Sequence, residues 1–275
     1  MKLKLTKSIV ATILLVALAI SMSFGAVAFA AETEIRYADF SGASTYSTTT
    51  SETVNYTRRE ESYIEVAYGV PRYTQRSAYP NSCGATAGAI VVGFYDKYYE
   101  NLIPDYKTYI STGRYKGNDY TYIPQLMGEL YTLMRTNVDD VGVSETDCKN
   151  GLKTYVNNKG LSLTYTSVKG FNKINETTYQ NAINNNKPVL LFCSKMDMYG
   201  MSISSNYDTI AKTTMEGAHV AVGYGLYIVK YYNGNTLFRT DKYLRVATGF
   251  AGLQDSYLKL DATDWCNAAY SVTIS

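Results

Sequence analysis

The stretch Asn81-Ser82-Cys83-Gly84-Ala85-Thr86-Ala87-Gly88-Ala89-Ile90-Val91-Val92-Gly93-Phe94-Tyr95 decides how the rest of the chain is read. Ala87, Ile90, Val91, Phe94, Tyr95 and Tyr98 fall at helical spacing and predict one buried face of a helix running to about Glu100. Asn81 or Ser82 is placed to cap it. Cys83 then sits at the first turn, where backbone N–H groups and the positive end of the helix dipole favour a thiolate. A cysteine in that place is either a nucleophile or a packed, inert thiol.

Outward from this helix the chain divides in two. On its N-terminal side, Pro71 biases Val70 toward an extended conformation. A polar loop over about 103–121 leads to a helix marked by Ile123, Leu126, Met127, Leu130 and Met134, with Pro124 in its first turn. Ser144-Glu145-Thr146-Asp147 resembles a capping box and opens a third helix, with Cys148, Leu152, Tyr155 and Val156 inward and a stop at Gly160. Residues 176–184 predict a short helix. Strand signals dominate the remainder. Val189-Leu190-Leu191-Phe192-Cys193 reads as a buried strand, residues 195–216 as a polar loop, and Ala218 to Tyr232 as a long strand. Asn233-Gly234 is a hairpin signal, after which Thr236 to Ala247 returns antiparallel. Helices followed by an antiparallel sheet predict an α+β domain, with an N-terminal helical half packed on a C-terminal antiparallel β-sheet half.

The first thirty residues read as an export signal: Lys2, Lys4 and Lys7, an uncharged run from Ile9 to Ile20, and the small-x-small site Ala28-Phe29-Ala30. Residues 31–62, rich in Ser, Thr and Glu, show no apolar period and read as a linker or short leader. Residues 63–275 form the expected domain. The net charge of +2 belongs to the signal, whose three lysines and absent acids leave −1 for the remainder. That balance gives no support to a nucleic-acid partner. The mature chain is expected to be secreted or cell-surface associated, monomeric and without stable membrane insertion. Four cysteines permit two disulfides in three pairings, and a single histidine argues against a zinc site. The 28 tyrosines fit half-buried sheet and surface.

Thiol catalysis of amide cleavage needs a thiolate, an imidazole to exchange a proton with it, and donors for the oxyanion. His219, on an apolar strand, is the one histidine available to Cys83. Against these roles stand plain ones: a core thiol, a satisfied core histidine and a strand-end threonine.

At these residues the sequence resembles the C39-like peptidases of the papain-like cysteine peptidase superfamily. Val70-Pro71, Tyr73 and Gln75, then Asn81 to Gly88, then Phe94-Tyr95-Asp96 look like the start of that family's domain. Gly217-Ala218-His219-Val220-Ala221-Val222-Gly223-Tyr224 looks like its histidine strand, and Tyr243 to Phe250 like the segment after it. The resemblance covers about 64–275 and is specific at the Cys and His blocks. It implies a papain-like fold, Cys83 as nucleophile, His219 as general acid/base and Gln75 as oxyanion donor. It also implies a peptide or protein substrate and neither metal nor organic cofactor.

Two positions depart from the family pattern. Gln75 lies eight residues before Cys83, where six is usual, and Thr248 stands where the family places the Asp or Asn that orients the imidazole. Thr248, Asp241 and Asp255 are the candidates for that third role. The expected function is an exported thiol peptidase; the alternative is a catalytically weakened domain that binds peptides or cell-wall material.

Overall fold

The computed structural model describes residues 36–37, 46–117, 119–262 and 265–275. The expected signal and residues 31–35 and 38–45 of the expected linker lie outside the described residues. About 45% of the described residues are strand and 23% helix. The expectation of an α+β, papain-like molecule, with a helical half set against a sheet half, is therefore corrected. The protein is built mainly on one antiparallel sheet of eight strands.

The four α-helices among the described residues are α1 (Cys83–Asp96), α2 (Tyr122–Leu133), α3 (Glu145–Asn158) and α4 (Glu176–Asn184). The strands are β1 (Arg36–Tyr37), β2 (Tyr46–Asn55), β3 (Arg58–Glu65), β4 (Tyr109–Ile110), β5 (Arg114–Tyr115), β6 (Val143–Ser144), β7 (Leu163–Ser167), β8 (Val189–Ile203), β9 (Tyr207–Asn233), β10 (Thr236–Phe250), β11 (Leu253–Lys259) and β12 (Cys266–Ile274). Ser144 caps α3 by accepting from the Asp147 N–H at 3.0 Å, as its sequence predicts. Asn175 caps α4 through the Thr178 N–H at 2.9 Å.

β9 is 27 residues long and holds the sheet together. Along one edge β8 pairs from Ile203↔Asp208 to Val189↔Gly223, and β3 continues from Glu65↔Gly225 to Arg58↔Tyr232. Along the other edge β2 pairs from Asn55↔Tyr207 to Tyr46↔Met215. β10 resumes that edge from Ala247↔Val222 to Thr236↔Asn233. The sheet curls until β11, beyond β10, meets β8 through Tyr257↔Tyr199 and Leu258↔Met198. β12 and β7 extend it past β8.

Two segments without a clear apolar period account for the error in fold class. Residues 46–62, expected as part of a linker, supply β2 and most of β3. Only Val54 is buried between Thr49 and Asn55. The strand is held by its ladder to β9 and by β-branched residues rather than by burial, so alternation is missing. Residues 195–216, expected as a loop, form the distal arms of β8 and β9. Their burial is partial, and a short turn at 204–206 joins them.

α1 is the buried axis of the helical layer. All fourteen of its residues are buried, not one face as its spacing suggests. It packs on α2 and on β9, and Tyr95 donates from its hydroxyl to the Val272 carbonyl at 2.7 Å. The helix ends at Asp96, so Tyr98, expected inward, is 52% exposed. Asp96 is buried and accepts from the Ile103 and Thr108 N–H groups, both at 2.9 Å, which fastens the following loop. Burial raises its pKa, partly offset by those two donors.

The helices approach one another through glycine. A Cβ at Gly151 in α3 would lie 2.6 Å from the Met134 backbone nitrogen at the end of α2. Gly151→Val is expected to force the helices apart and cost about 2–3 kcal/mol, outweighing the helix-propensity gain of roughly 0.5 kcal/mol over Gly. Gly200→Val, at a strand position with nothing within 4 Å, is the control and should leave stability unchanged or slightly raised. Urea unfolding of the two variants checks this; equal midpoints would contradict the close-packing account.

Candidate active site

Cys83 is the first residue of α1 and is 1% exposed. Ser82 occupies the N-cap position but makes no side-chain capping bond, and the first turn carries no acidic residue. The positive end of the helix dipole is thus uncompensated by a carboxylate of its own first turn. Asn81, at φ +57°, turns the chain into the helix and donates from its amide to the Asn137 side chain.

His219 lies on β9, fully buried. It falls within an interruption of one β9 edge: β2 pairs up to Met215, β10 resumes at Val222, and no described strand pairs between them. The β9–β10 ladder ends at Ala247↔Val222. One residue further, the Thr248 carbonyl oxygen sits 2.8 Å from His219 Nε2. A carbonyl only accepts, so Nε2 carries the proton and, in the neutral ring, Nδ1 is the basic nitrogen. Phe250 stacks on the imidazole with ring centroids 4.4 Å apart and planes 25° apart.

Thr248 therefore orients the ring, but through its main chain. Its hydroxyl, the group sequence pattern puts forward, instead donates to the Leu253 carbonyl and accepts from the Phe250 N–H at 3.1 Å. The hydroxyl braces the segment that delivers both the carbonyl and the Phe250 ring. Asp241 is engaged by Arg239, Tyr243 and Lys259. Asp255 accepts from Arg72 at 2.7 Å and from Tyr224 at 2.6 Å. Both carboxylates are thus committed to other partners.

Gln75 is tied to the same segment. Its backbone N–H donates to the Gly249 carbonyl at 2.8 Å. Gly249 adopts φ +80°, and a Cβ there would lie 3.1 Å from Thr86 Cγ2 and 3.9 Å from Gln75 Cγ. Thr86 is one turn beyond Cys83 on α1. The irregular end of β10 at 248–250 thereby joins Gln75, the first turns of α1 and His219. The eight-residue interval between Gln75 and Cys83 does not keep Gln75 from this junction. Gln75 Nε2 is buried with no hydrogen-bond partner among the described residues. Leaving such a donor unpaired costs about 1–3 kcal/mol.

Cys193, on β8, is the direct cross-strand partner of His219. Burial pushes its thiol well up, and the neighbouring Cys266 and Cys83 thiols add to the shift. None of the four cysteines is in a disulfide. Thr86 entered the sequence reading only within the Cys block, Gly249 and Phe250 within the segment after the histidine strand, and Cys193 at the end of a buried strand; none was given a role at the site.

A described cavity of about 810 Å³, lined in part by Phe171, Lys173, Glu176, Lys242 and Asp261, contains none of the candidate site residues. Among the described residues no group of three or more His, Cys, Asp and Glu could hold a metal ion. No helix of the described residues is long and apolar enough to cross a membrane. Compared with protein-family models, curated proteins and solved structures, the chain finds no match.

Because the ring is held by a main-chain oxygen, Thr248→Ser should preserve stability and the labelling rate of Cys83 with iodoacetamide. Thr248→Val leaves the Leu253 carbonyl and Phe250 N–H without the hydroxyl and should lose about 1–3 kcal/mol. Thermal melts and timed labelling separate the cases; a Ser variant as impaired as Val would refute the bracing role.

Proposed function

We propose that the protein is a thiol peptidase, related through its Cys and His blocks to the C39-like peptidases, with Cys83 as nucleophile and His219 as general acid/base. The observation that carries this reading is the Nε2–H bond to the Thr248 carbonyl, which leaves Nδ1 to handle the proton. Cys83 Sγ gives its proton to Nδ1 and attacks the amide carbonyl carbon. The C–N bond then breaks as the imidazolium returns a proton to the departing amine, leaving a thioester on Sγ. Water, deprotonated by the same nitrogen, hydrolyses the thioester and restores the thiol.

The unpartnered Gln75 Nε2 supports a role as donor to the oxyanion of each tetrahedral intermediate. A peptide or protein is the substrate class that an amide-cleaving thiol requires. Export of the chain, through residues 1–30, belongs to the same proposal.

The burial of both Cys83 and His219 favours a second reading, a peptide- or wall-binding module with weakened catalysis. A buried nucleophile reaches substrate only when the surrounding turns open.

Iodoacetamide labelling of Cys83 across pH, read by mass spectrometry, tests the pair. Labelling that is already fast below pH ~7 and slows in His219→Ala is expected, since an isolated thiol ionises near 8.5. Digestion of a peptide mixture should be abolished in Cys83→Ser. In Gln75→Ala, kcat should fall about 100- to 1,000-fold with little change in KM. Cys83 labelling that rises only near the ordinary thiol pKa in both proteins would remove the peptidase and leave the binding module.

A further inference from the structure

Cys266, Cys193 and His219 stand in a row across three neighbouring strands. Cys193 is the register partner of Cys266 on β12 along one edge of β8, and of His219 on β9 along the other. Direct partners in an antiparallel pair project to the same face, with Cα atoms about 4.5–5.5 Å apart. A disulfide needs a Cα separation of about 4.4–6.8 Å. Register alone therefore puts Cys193 and Cys266 at bridging distance. Both are buried, and their Sγ atoms lie against the Leu191 and Ala268 carbonyls.

Cys193 shares one buried core cluster with the thiols of Cys266 and of Cys83 at the start of α1. The choice between them has opposite consequences. A Cys83–Cys193 bond would occupy the sulfur that the proposed peptidase uses as nucleophile. A Cys193–Cys266 bond would take away the thiol best placed to capture it. Strand register favours the second, because β8 and β12 are already paired at those two positions.

We propose that Cys193 and Cys266 form a disulfide across β8 and β12 when the chain matures in an oxidising compartment, and that this bond keeps Cys83 a thiol. The oxidant is a small-molecule disulfide such as oxidised glutathione. One cysteine thiolate attacks a glutathione sulfur, the S–S bond breaks and one glutathione thiolate leaves. The second cysteine thiolate attacks the protein sulfur of that mixed disulfide and expels the other glutathione. The protein loses two electrons, the glutathione disulfide gains them, and the two thiol protons end on two glutathione molecules. Buried thiols exchange slowly, so the bond closes as β12 pairs with β8, which brings the two thiols into register, and before the core around them is enclosed. The link itself does not depend on peptidase activity; its protective value does.

The full-length chain is refolded in a buffer of reduced and oxidised glutathione, quenched in acid, alkylated under denaturing conditions and digested without reduction. Mass spectrometry should find the Cys193 and Cys266 peptides joined and Cys83 and Cys148 alkylated. In Cys266→Ser the same treatment should link Cys83 to Cys193 and suppress iodoacetamide labelling of native Cys83 until a reductant is added. Cys193→Ser/Cys266→Ser should keep that labelling in oxidising buffer. Four alkylated cysteines in the wild type, or Cys83 in its linked pair, would overturn the proposal. If Cys266→Ser does not fold, the wild-type map decides alone. Slow labelling of Cys83 in every redox state, with the Cys193–Cys266 link present, would count against the peptidase and not against the disulfide.

Discussion

The backbone hydrogen bonds of β9 are the constraint from which the rest of the molecule takes its position. A strand offers two edges, and each edge of β9 is used twice in succession, by β8 then β3 and by β2 then β10. Segments more than 180 residues apart in sequence, β2 and β10, are thereby set end to end along one line. A handover between two partners leaves a short length of edge without a described strand. His219 lies in that interval, where backbone that would otherwise continue the ladder is free to turn. The Thr248 carbonyl meets an imidazole instead of a β9 N–H for this reason.

The second support is α1, closed in on every side. Its sequence is built for that: Gly84, Gly88 and Gly93 leave room for Val143, Met134 and Tyr73, each of which would lie within 3 Å of an added Cβ. A helix so enclosed cannot shift along its axis without clashes at several levels. Cys83, at its start, inherits that fixity. The segment at 248–250 docks onto the same helix through Gly249 and Thr86, so helix and sheet meet at the candidate site through backbone and small residues.

Sequence carried the helices better than it carried the fold. The start of α3 was legible because a capping residue and apolar spacing coincide there, whereas α1 was legible from its spacing alone, since Ser82 forms no capping bond. Cys83 and His219 stood out as the helix-start thiol and the one imidazole. The large sheet was underestimated because β2, β3 and the outer halves of β8 and β9 are exposed on much of their surface. Polar, β-branched strands of that kind are stabilised by distant partners, and local periodicity does not record them. The orienting group for His219 was missed for a related reason. A main-chain oxygen has no residue identity, so no side-chain pattern points to it. Phe250, whose ring holds the imidazole from its face, was read only as the last residue of the segment after the histidine strand, with no role of its own.

A carbonyl in place of a carboxylate changes what the site requires of its surroundings. Both acceptors fix the tautomer and the ring plane. Only the carboxylate adds a full negative charge, which at about 4 Å and an effective dielectric of 20 is worth roughly 4 kcal/mol to an imidazolium. On the proposed mechanism that contribution has to come from elsewhere. The thiolate itself supplies most of it, the uncapped first turn of α1 steadies the thiolate, and the Phe250 face keeps water from one side of the ring. Each of these depends on the segment at 248–250 being docked. The acceptor and the aromatic cover come from one segment, so a change that displaces it would take both from the imidazole together. On the proposed mechanism, charge separation between Cys83 and His219 is therefore tied to the docked 248–250 segment, which supplies both the acceptor for the ring and its aromatic cover.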